Sequence, residues 1–235
     1  MSRKSVSLLL LAGVTLLQTS PSPLHTFLLE PAGIVSVANP SGISPLIVPS
    51  QADLNGDGIP EQLALAGGQL SILSRDTPVW QSPTDWQVIQ AAFSDLNLDG
   101  VPEVTLLLWR PFRPWPVDQW LPNAGRIDSF QDAAGRSCHI ILIGWSRQKY
   151  RELWAGSAMA EPITSFAVAD LNGDKQQELV ALEGRYSDPR SAPARTLKVW
   201  EWNGFGFTVV SYMNRSFIGF TLVQAREGNI LILVP

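Results

Sequence analysis

The stretch Asp53-Leu-Asn-Gly-Asp-Gly-Ile-Pro-Glu61 is the first of three related nine-residue segments in this chain. The other two are Asp95-Leu-Asn-Leu-Asp-Gly-Val-Pro-Glu103 and Asp170-Leu-Asn-Gly-Asp-Lys-Gln-Gln-Glu178. Each segment has oxygen-bearing side chains at positions 1, 3, 5 and 9, and a leucine at position 2. Alternate residues of a tight loop can direct their oxygens toward one centre, and Ca²⁺ takes about 6–8 oxygen ligands. The three segments therefore predict calcium-binding loops.

Short apolar runs precede and follow each loop, which makes the loop a connection between two β-strands. The first loop lies between the runs at residues 45–48 and 62–66. An EF-hand loop is the main alternative, and it requires a bidentate acid at position 12, followed by a helix. Position 12 is Ala64, Leu106 or Ala181 in the three loops, and the acid stands at position 9 instead. The EF-hand interpretation is therefore excluded.

Each of the three units continues with two more strand-like runs, so that a unit contains four strands. Four-stranded units that recur about every 40–50 residues are typical of β-propeller blades. Asp53 and Asp95 are 42 residues apart. Asp95 and Asp170 are 75 residues apart, and leaving out the 27 residues of the Pro-rich insertion 110–136 reduces this interval to 48. We therefore predict an all-β protein with the fold of a small β-propeller.

The fourth unit has only two strand-like runs, at residues 220–223 and 230–234, and its turn lacks the acidic set. The N-terminal runs at residues 26–29 and 34–37 supply the missing pair. Pairing strands from both termini in one blade closes the ring and removes exposed sheet edges. We therefore predict four blades closed by the N- and C-terminal strands. A larger ring completed by another chain is the alternative.

The first 20 residues are typical of an export signal. Arg3 and Lys4 precede an apolar run over residues 6–17, which is shorter than the roughly 20 residues of a membrane span. A buried N-terminal element and an uncleaved anchor are the alternatives. We expect an exported protein, in an extracellular, cell-surface or periplasmic location, that meets a membrane only through this segment if the segment is not cleaved. External calcium is concentrated enough to fill weak sites with Kd of about 10⁻⁴–10⁻³ M.

The composition is that of a folded domain. Of the 235 residues, 45% are hydrophobic and 16% are charged. We expect residues 1–20 to form the N-terminal hydrophobic segment and residues 21–235 the propeller, with insertions at 110–136 and 185–195. The basic residues are scattered and the net charge is −4, so we expect no nucleic-acid partner. Cys138 is the only cysteine, which excludes an intrachain disulfide, and its apolar neighbours predict a buried, inert thiol.

At these loops the chain resembles the FG-GAP/VCBS repeat family, the calcium-binding blades of integrin α-chain propellers and of many bacterial exported proteins. The matching segments are residues 52–61, 94–103 and 169–178, within a resemblance that covers about residues 45–235. The Phe-Gly and Gly-Ala-Pro sequences after which the FG-GAP repeat is named are absent, so the chain is better described as VCBS-like than as FG-GAP-like. The resemblance implies two to three bound Ca²⁺ ions.

The resemblance also implies the ligands: the side chains at positions 1, 3, 5 and 9 and the backbone carbonyl at position 7. These are Asp53, Asn55, Asp57, Ile59, Glu61, Asp95, Asn97, Asp99, Val101, Glu103, Asp170, Asn172, Asp174, Gln176 and Glu178. Gly58 and Gly100 at position 6 suit a left-handed backbone. Lys175 replaces this glycine in the third loop, which costs conformational energy and brings a positive charge near the ion. We therefore expect the third site to be the weakest. Leu98 replaces the glycine at position 4 of the second loop.

The chain carries no common catalytic motif. It has no Gly-x-Ser-x-Gly elbow, no His-Glu-x-x-His helix and no phosphate-binding glycine loop. His25 lies near the N-terminal segment and His139 opens an apolar strand. The most prominent acids belong to the loops. We therefore predict a protein that is not an enzyme, in which Ca²⁺ fastens the turn between two strands.

Both insertions are rich in arginine and proline, and the first also contains Trp115 and Trp120. Arginine and aromatic residues are favoured in protein interfaces. Both insertions join the second and third strands of their units, which places them on the face opposite the calcium loops. We predict a protein-binding or scaffold module, such as a subunit of a cell-surface assembly. The candidate contact residues are Arg110, Arg113, Trp115, Trp120, Arg185 and Arg190. The alternatives are loops folded against their own propeller, a carbohydrate-binding module, and, less favoured, a polysaccharide-acting enzyme.

Overall fold

The computed structural model describes residues 24–113 and 129–235. In this part of the chain all regular structure is β, and no helix is long and apolar enough to cross a membrane. The expected export signal at residues 1–20 lies outside the described residues, as do Trp115 and Trp120.

The strands of the described ranges are numbered in chain order. They are β1 (His25–Glu30), β2 (Gly33–Val37), β3 (Ser44–Pro45), β4 (Gln51–Ala52), β5 (Glu61–Ala66), β6 (Gln69–Ser74), β7 (Thr77–Gln81), β8 (Gln87–Ser94), β9 (Glu103–Pro111), β10 (Arg136–Ser146), β11 (Lys149–Ala155), β12 (Ile163–Ala169), β13 (Glu178–Glu183), β14 (Ala194–Trp202), β15 (Phe207–Phe217), β16 (Thr221–Gln224) and β17 (Ile230–Val234).

Four antiparallel sheets form a four-bladed β-propeller, which confirms the predicted fold class. The first blade contains β4 to β7, the second β8 to β11 and the third β12 to β15, each in chain order. The closing blade has the order β2-β1-β17-β16-β3. Its central pair joins the two ends of the described chain, with Thr26 opposite Leu233. Closure by N- and C-terminal strands is therefore confirmed.

The expected strand at residues 45–48 is wrong. Pro45 belongs to the short strand β3, which pairs with β16 of the closing blade, and the first blade begins only at Gln51. Leu46 still donates its backbone N–H to the carbonyl of Leu222 at 3.1 Å. Pro45 and Pro49 have no N–H to donate, so this run cannot form the ladder of a central strand.

The blades pack face to face, because alternate residues of a strand point to opposite sides of its sheet. In β9, Val104, Leu106 and Leu108 join the apolar core shared with the first blade. Leu107 and Trp109 join the core shared with the third blade. A strand buried on both faces needs an unbroken apolar run, and residues 104–109 supply it apart from Thr105.

One glutamine side chain connects the innermost strands of the second and third blades. The Gln90 Nε2 group donates to the carbonyl of Phe166 at 2.6 Å, and Oε1 accepts the backbone N–H of Phe166 at 3.0 Å. The amide therefore supplies the pair of bonds that a neighbouring strand would otherwise make. Both residues border a central channel of about 650 Å³.

The alternating strand directions create two distinct faces. The three nine-residue loops join the first and second strands of their blades at one end of the ring, which we call the loop face. The two insertions join the second and third strands, β9 to β10 and β13 to β14, at the other end, which we call the insertion face. The connections from one blade to the next also lie at the insertion face.

Candidate metal centre

Each nine-residue loop is closed by one buried hydrogen bond. The glutamate at position 9 accepts the backbone N–H of the leucine at position 2, and both side chains are buried. The bond from Leu54 to Glu61 is 2.8 Å long, and that from Leu96 to Glu103 has the same length. The equivalent bond in the third loop is 2.6 Å long. The leucines were not among the predicted site residues, although their recurrence at position 2 was a visible signal.

The acids at positions 1 and 5 order the backbone of the loop. In the first loop, Asp53 accepts the N–H groups of Gly56 and Gly58, each at 2.8 Å. Asp57 accepts the N–H of Ile59 at 2.8 Å. The third loop repeats all three bonds with its own residues. The carboxylates that were predicted as ligands are therefore also the acceptors that bend the chain.

The asparagine at position 3 bridges neighbouring carboxylates through its amide nitrogen. Asn55 Nδ2 lies 3.2 Å from Asp57 Oδ2 and 3.2 Å from Glu61 Oε1. Asn172 makes the same pair of bonds, and Asn97 makes the first of them. Among the described residues, no three side chains of His, Cys, Asp or Glu converge as a ready-made metal site. In the first and third loops the amide N–H group therefore lies between the carboxylates at positions 5 and 9.

The second loop has one carboxylate oxygen without a partner. Glu103 Oε1 accepts bonds from the Ser94 hydroxyl at 2.7 Å and from the Leu96 N–H at 2.8 Å. In the described structure, Glu103 Oε2 is buried and has no hydrogen-bond partner. Burial raises the pKa of Glu103 to about 7, and it raises the pKa of Glu178 to about 7 as well. A buried carboxylate without a counter-charge is costly, so this donor set fits a hard divalent cation.

The backbone is left-handed at positions 4 and 6 of all three loops. Leu98 has a φ of 61° and Lys175 a φ of 71°, close to the values of the glycines at the equivalent positions. A Cβ added to Gly56 or Gly173 would meet no atom within 4 Å. The cost at Leu98 and Lys175 is therefore one of backbone conformation and not of space.

The predicted contact arginines lie on the insertion face in different surroundings. Arg113 is largely exposed and pairs with Asp85 at 3.2 Å. The Arg110 guanidinium lies 5.9 Å from the ring centre of Trp86. The Arg185 side chain makes no ion pair or hydrogen bond with any residue in the described ranges, although the Arg185 carbonyl accepts the Asp188 N–H at 3.1 Å.

Arg190 is engaged within the molecule. Its guanidinium lies 3.9 Å from the ring centre of Trp109, and it pairs with Asp132 at 2.8 Å. It also donates to Gln87 Oε1 at 2.8 Å. Arg190 thus connects the second insertion to the end of the first insertion and to β8. The sequence predicted Arg190 as a partner-contact residue, and these contacts also give it a role within the molecule.

Exposed apolar side chains were missed by sequence reasoning. Ile47 is 93% exposed, Val48 62% and Ile218 76%. Residues 46–50 connect β3 to β4, and Ile218 lies between β15 and β16, so both belong to blade-to-blade connections at the insertion face. The proline on each side of residues 46–48 was the available signal. On the loop face, Phe205 is 88% exposed in the turn between β14 and β15.

His139 and Cys138 are buried in β10. His139 Nδ1 donates to the Gly156 carbonyl at 3.1 Å, and the Ser137 hydroxyl donates to Nε2 at 2.7 Å. Burial, together with the positive charge of Arg110, lowers the pKa of His139 to about 4. Burial raises the pKa of Cys138 to about 12. The imidazole is therefore neutral and the thiol protonated at neutral pH.

No protein-family model and no curated protein sequence matches this chain at a significant level.

Replacing Leu98 or Lys175 by glycine should stabilise the protein by about 1 kcal/mol each, because glycine adopts a positive φ without the steric cost of a Cβ. The free energy of unfolding in urea, measured in the presence of a chelator, tests this expectation. Leu98→Ala and Lys175→Ala are the controls, since they shorten the side chain and retain the Cβ. Equal stability of the glycine and alanine variants would contradict the backbone explanation.

His139 should make the protein less stable in acid. Its pKa is about 4 in the folded state and about 6.5 in the unfolded chain, so the unfolded state binds a proton first as the pH falls. The stabilisation is complete above pH 6.5 and is lost between about pH 6.5 and pH 4, in total about 3 kcal/mol. His139→Gln should remove this part of the pH dependence in urea unfolding at pH 7 and pH 4.5. If the free energy of unfolding fell equally with pH in the wild type and in His139→Gln, this prediction for His139 would be wrong.

Proposed function

We propose that this protein is an exported, calcium-stabilised propeller of the FG-GAP/VCBS type that binds a protein partner through its insertion face. The exposure of Ile47, Val48 and Ile218 at that face is the observation that carries the proposal. An exposed apolar side chain contributes hydrophobic free energy to binding when a partner covers it.

Calcium has a stabilising role in this proposal. Two observations support it: the oxygen-rich donor set at positions 1, 3, 5 and 9, and the free buried oxygen of Glu103. Calcium supplies positive charge that offsets the repulsion among three acids in each loop. The protein's own part is to hold these oxygens close together, through the buried leucine and the backbone bonds to the carboxylates. All ligands of a loop are local in sequence, which favours a fastening role over a catalytic one.

The described part of the insertion face favours a protein over a sugar. A sugar would stack on an exposed aromatic ring, and within the described residues Trp86 and Trp109 are only 8% and 5% exposed. Trp115 and Trp120 lie outside the described residues. The Arg190 guanidinium covers the ring of Trp109. Arginine is enriched in protein interfaces, and Arg113 and Arg185 are exposed on this face. Export rests on the composition of residues 1–20.

Calcium should raise the free energy of unfolding. At a free concentration of about 100 times Kd, one site contributes about 2.7 kcal/mol. Asp53→Asn and Asp95→Asn should each reduce the gain measured by thermal unfolding with calcium and with chelator, whereas Asp170→Asn should reduce it least. Asp76→Asn, an acid in the β6–β7 turn of the loop face, is the matched control. No heat of binding and no thermal shift with calcium would sink the calcium proposal.

Charges placed on the exposed apolar residues should weaken partner capture. Ile47→Asp and Ile218→Asp each put a carboxylate into the proposed interface and should weaken binding at least about tenfold. Affinity capture from the native envelope, followed by mass spectrometry and a titration with the protein identified, measures this. Phe205→Asp changes an equally exposed side chain on the loop face and should leave binding intact. All three variants should keep the wild-type melting temperature, because exposed positions have small effects on stability. If Phe205→Asp lost capture while Ile47→Asp and Ile218→Asp kept it, the interface would lie on the loop face and the proposal would be wrong.

A further inference from the structure

A cavity of about 460 Å³ lies between the two insertions, apart from the calcium loops. The end of the first insertion contributes residues 132–134, and the second insertion contributes residues 185–190, 192 and 193. Ile89 and Trp109 of the second blade, residues 162–164 and Gly184 also line the cavity. Binding sites for small molecules usually measure about 300–1,000 Å³ and are mostly apolar, with a few polar groups. This cavity has that size and that composition.

The aromatic floor of the cavity is held in place from several sides. Tyr186 packs edge-on against Trp109, with ring centres 5.6 Å apart. The Tyr186 hydroxyl donates to the Met159 carbonyl at 2.7 Å and accepts the Cys138 N–H at 3.2 Å. The opposite partner of Trp109 is the guanidinium of Arg190. These contacts are satisfied without a ligand, so the floor is already formed.

The outer wall is braced by its own turns. Within it, the Asp188 N–H donates to the Arg185 carbonyl at 3.1 Å and the Ala192 N–H to the Pro189 carbonyl at 2.8 Å. The Gly184 N–H donates to the Pro162 carbonyl at 2.9 Å, which ties the start of the wall to the preceding blade connection. A preformed cavity binds a ligand without a large cost of ordering.

Among the described residues, one arginine that lines the cavity has no ion pair. Asp132 pairs with Arg190 at 2.8 Å, and Asp188 pairs with Arg195 at 2.9 Å. Arg185 lines the same cavity, and its guanidinium forms neither an ion pair nor a hydrogen bond with a described residue. After the hydrogen bond and charge of Arg195, the charge of Arg185 also lowers the pKa of Asp188. A guanidinium presents its donors as a planar fork that matches a carboxylate. The rim therefore offers a positive charge beside an apolar interior.

We propose that this cavity binds a small carboxylic acid with an apolar body. The carboxylate pairs with Arg185 at the rim. The apolar body lies between Ile89 and the proline side chains Pro162 and Pro189. The site requires neither calcium nor the protein partner proposed above, because the residues that form it belong to the two insertions and to the second and third blades.

The proposal can be tested with 2-naphthoate, which has a carboxylate on an apolar body. The alcohol 2-naphthalenemethanol has a similar shape without the charge and is the control ligand. Titration calorimetry of the wild-type protein should show binding of 2-naphthoate, with the alcohol at least about fivefold weaker because it lacks the charge. Arg185→Gln should remove the preference for the acid. Ala192→Trp should fill the cavity and abolish binding of both compounds, and Ala133→Trp offers a second way to fill it if the first variant does not fold.

Arg215→Gln is the matched control, because Arg215 is an exposed arginine on β15 outside the lining of this cavity. It should bind 2-naphthoate as the wild type does. Saturation-transfer NMR with each variant checks that the signal comes from the cavity. The proposal is overturned by any of three results: no binding of 2-naphthoate at millimolar concentration, equal binding of the acid and the alcohol, or unchanged binding after Ala192→Trp and Ala133→Trp.

Discussion

The hydrogen bond from the leucine N–H at position 2 to the glutamate at position 9 is the interaction on which the blade turns depend. It lies in the interior, where an unpaired N–H or carboxylate would be costly. Leu54 and Glu61 are both fully buried, which places the bond out of reach of water. The bond fixes the distance between the two ends of the loop. The first two strands of the blade then pair next to it, with Ala52 opposite Glu61.

The register set at these turns decides the packing of the ring. When β9 leaves its loop at Glu103, Val104 and Leu106 face the first blade while Leu107 faces the third. A shift by one residue would exchange these faces and move the Thr105 hydroxyl away from Ser94, its hydrogen-bond partner. Where the inner strands of two blades do not pair, Gln90 makes the two backbone bonds with its side chain. Local turn chemistry and the packing between blades are therefore consistent with each other.

Much of the fold could be predicted because its signals are local. The loops, the four-strand period and the pairing of the terminal strands follow from spacing and from turn residues. The strand expected at residues 45–48 was wrong, since Pro45 and Pro49 prevent a central ladder and Leu46 bonds to the closing blade instead. The predicted ligands lie together in their loops. Sequence reasoning assigned Arg190 to a partner, but it could not see that Asp132 and Trp109 approach it from another insertion and another blade.

By itself the sequence determined the blade unit, the position of each oxygen donor in its loop and the face to which the insertions belong. These properties depend on residues within one repeat, whose geometry is set by backbone bonds and by strand alternation. Only the tertiary structure decided which arginines are paired, which apolar side chains stay exposed and where the insertions enclose a cavity. Those properties arise between blades, from distances that residues far apart in the chain acquire only when the ring closes.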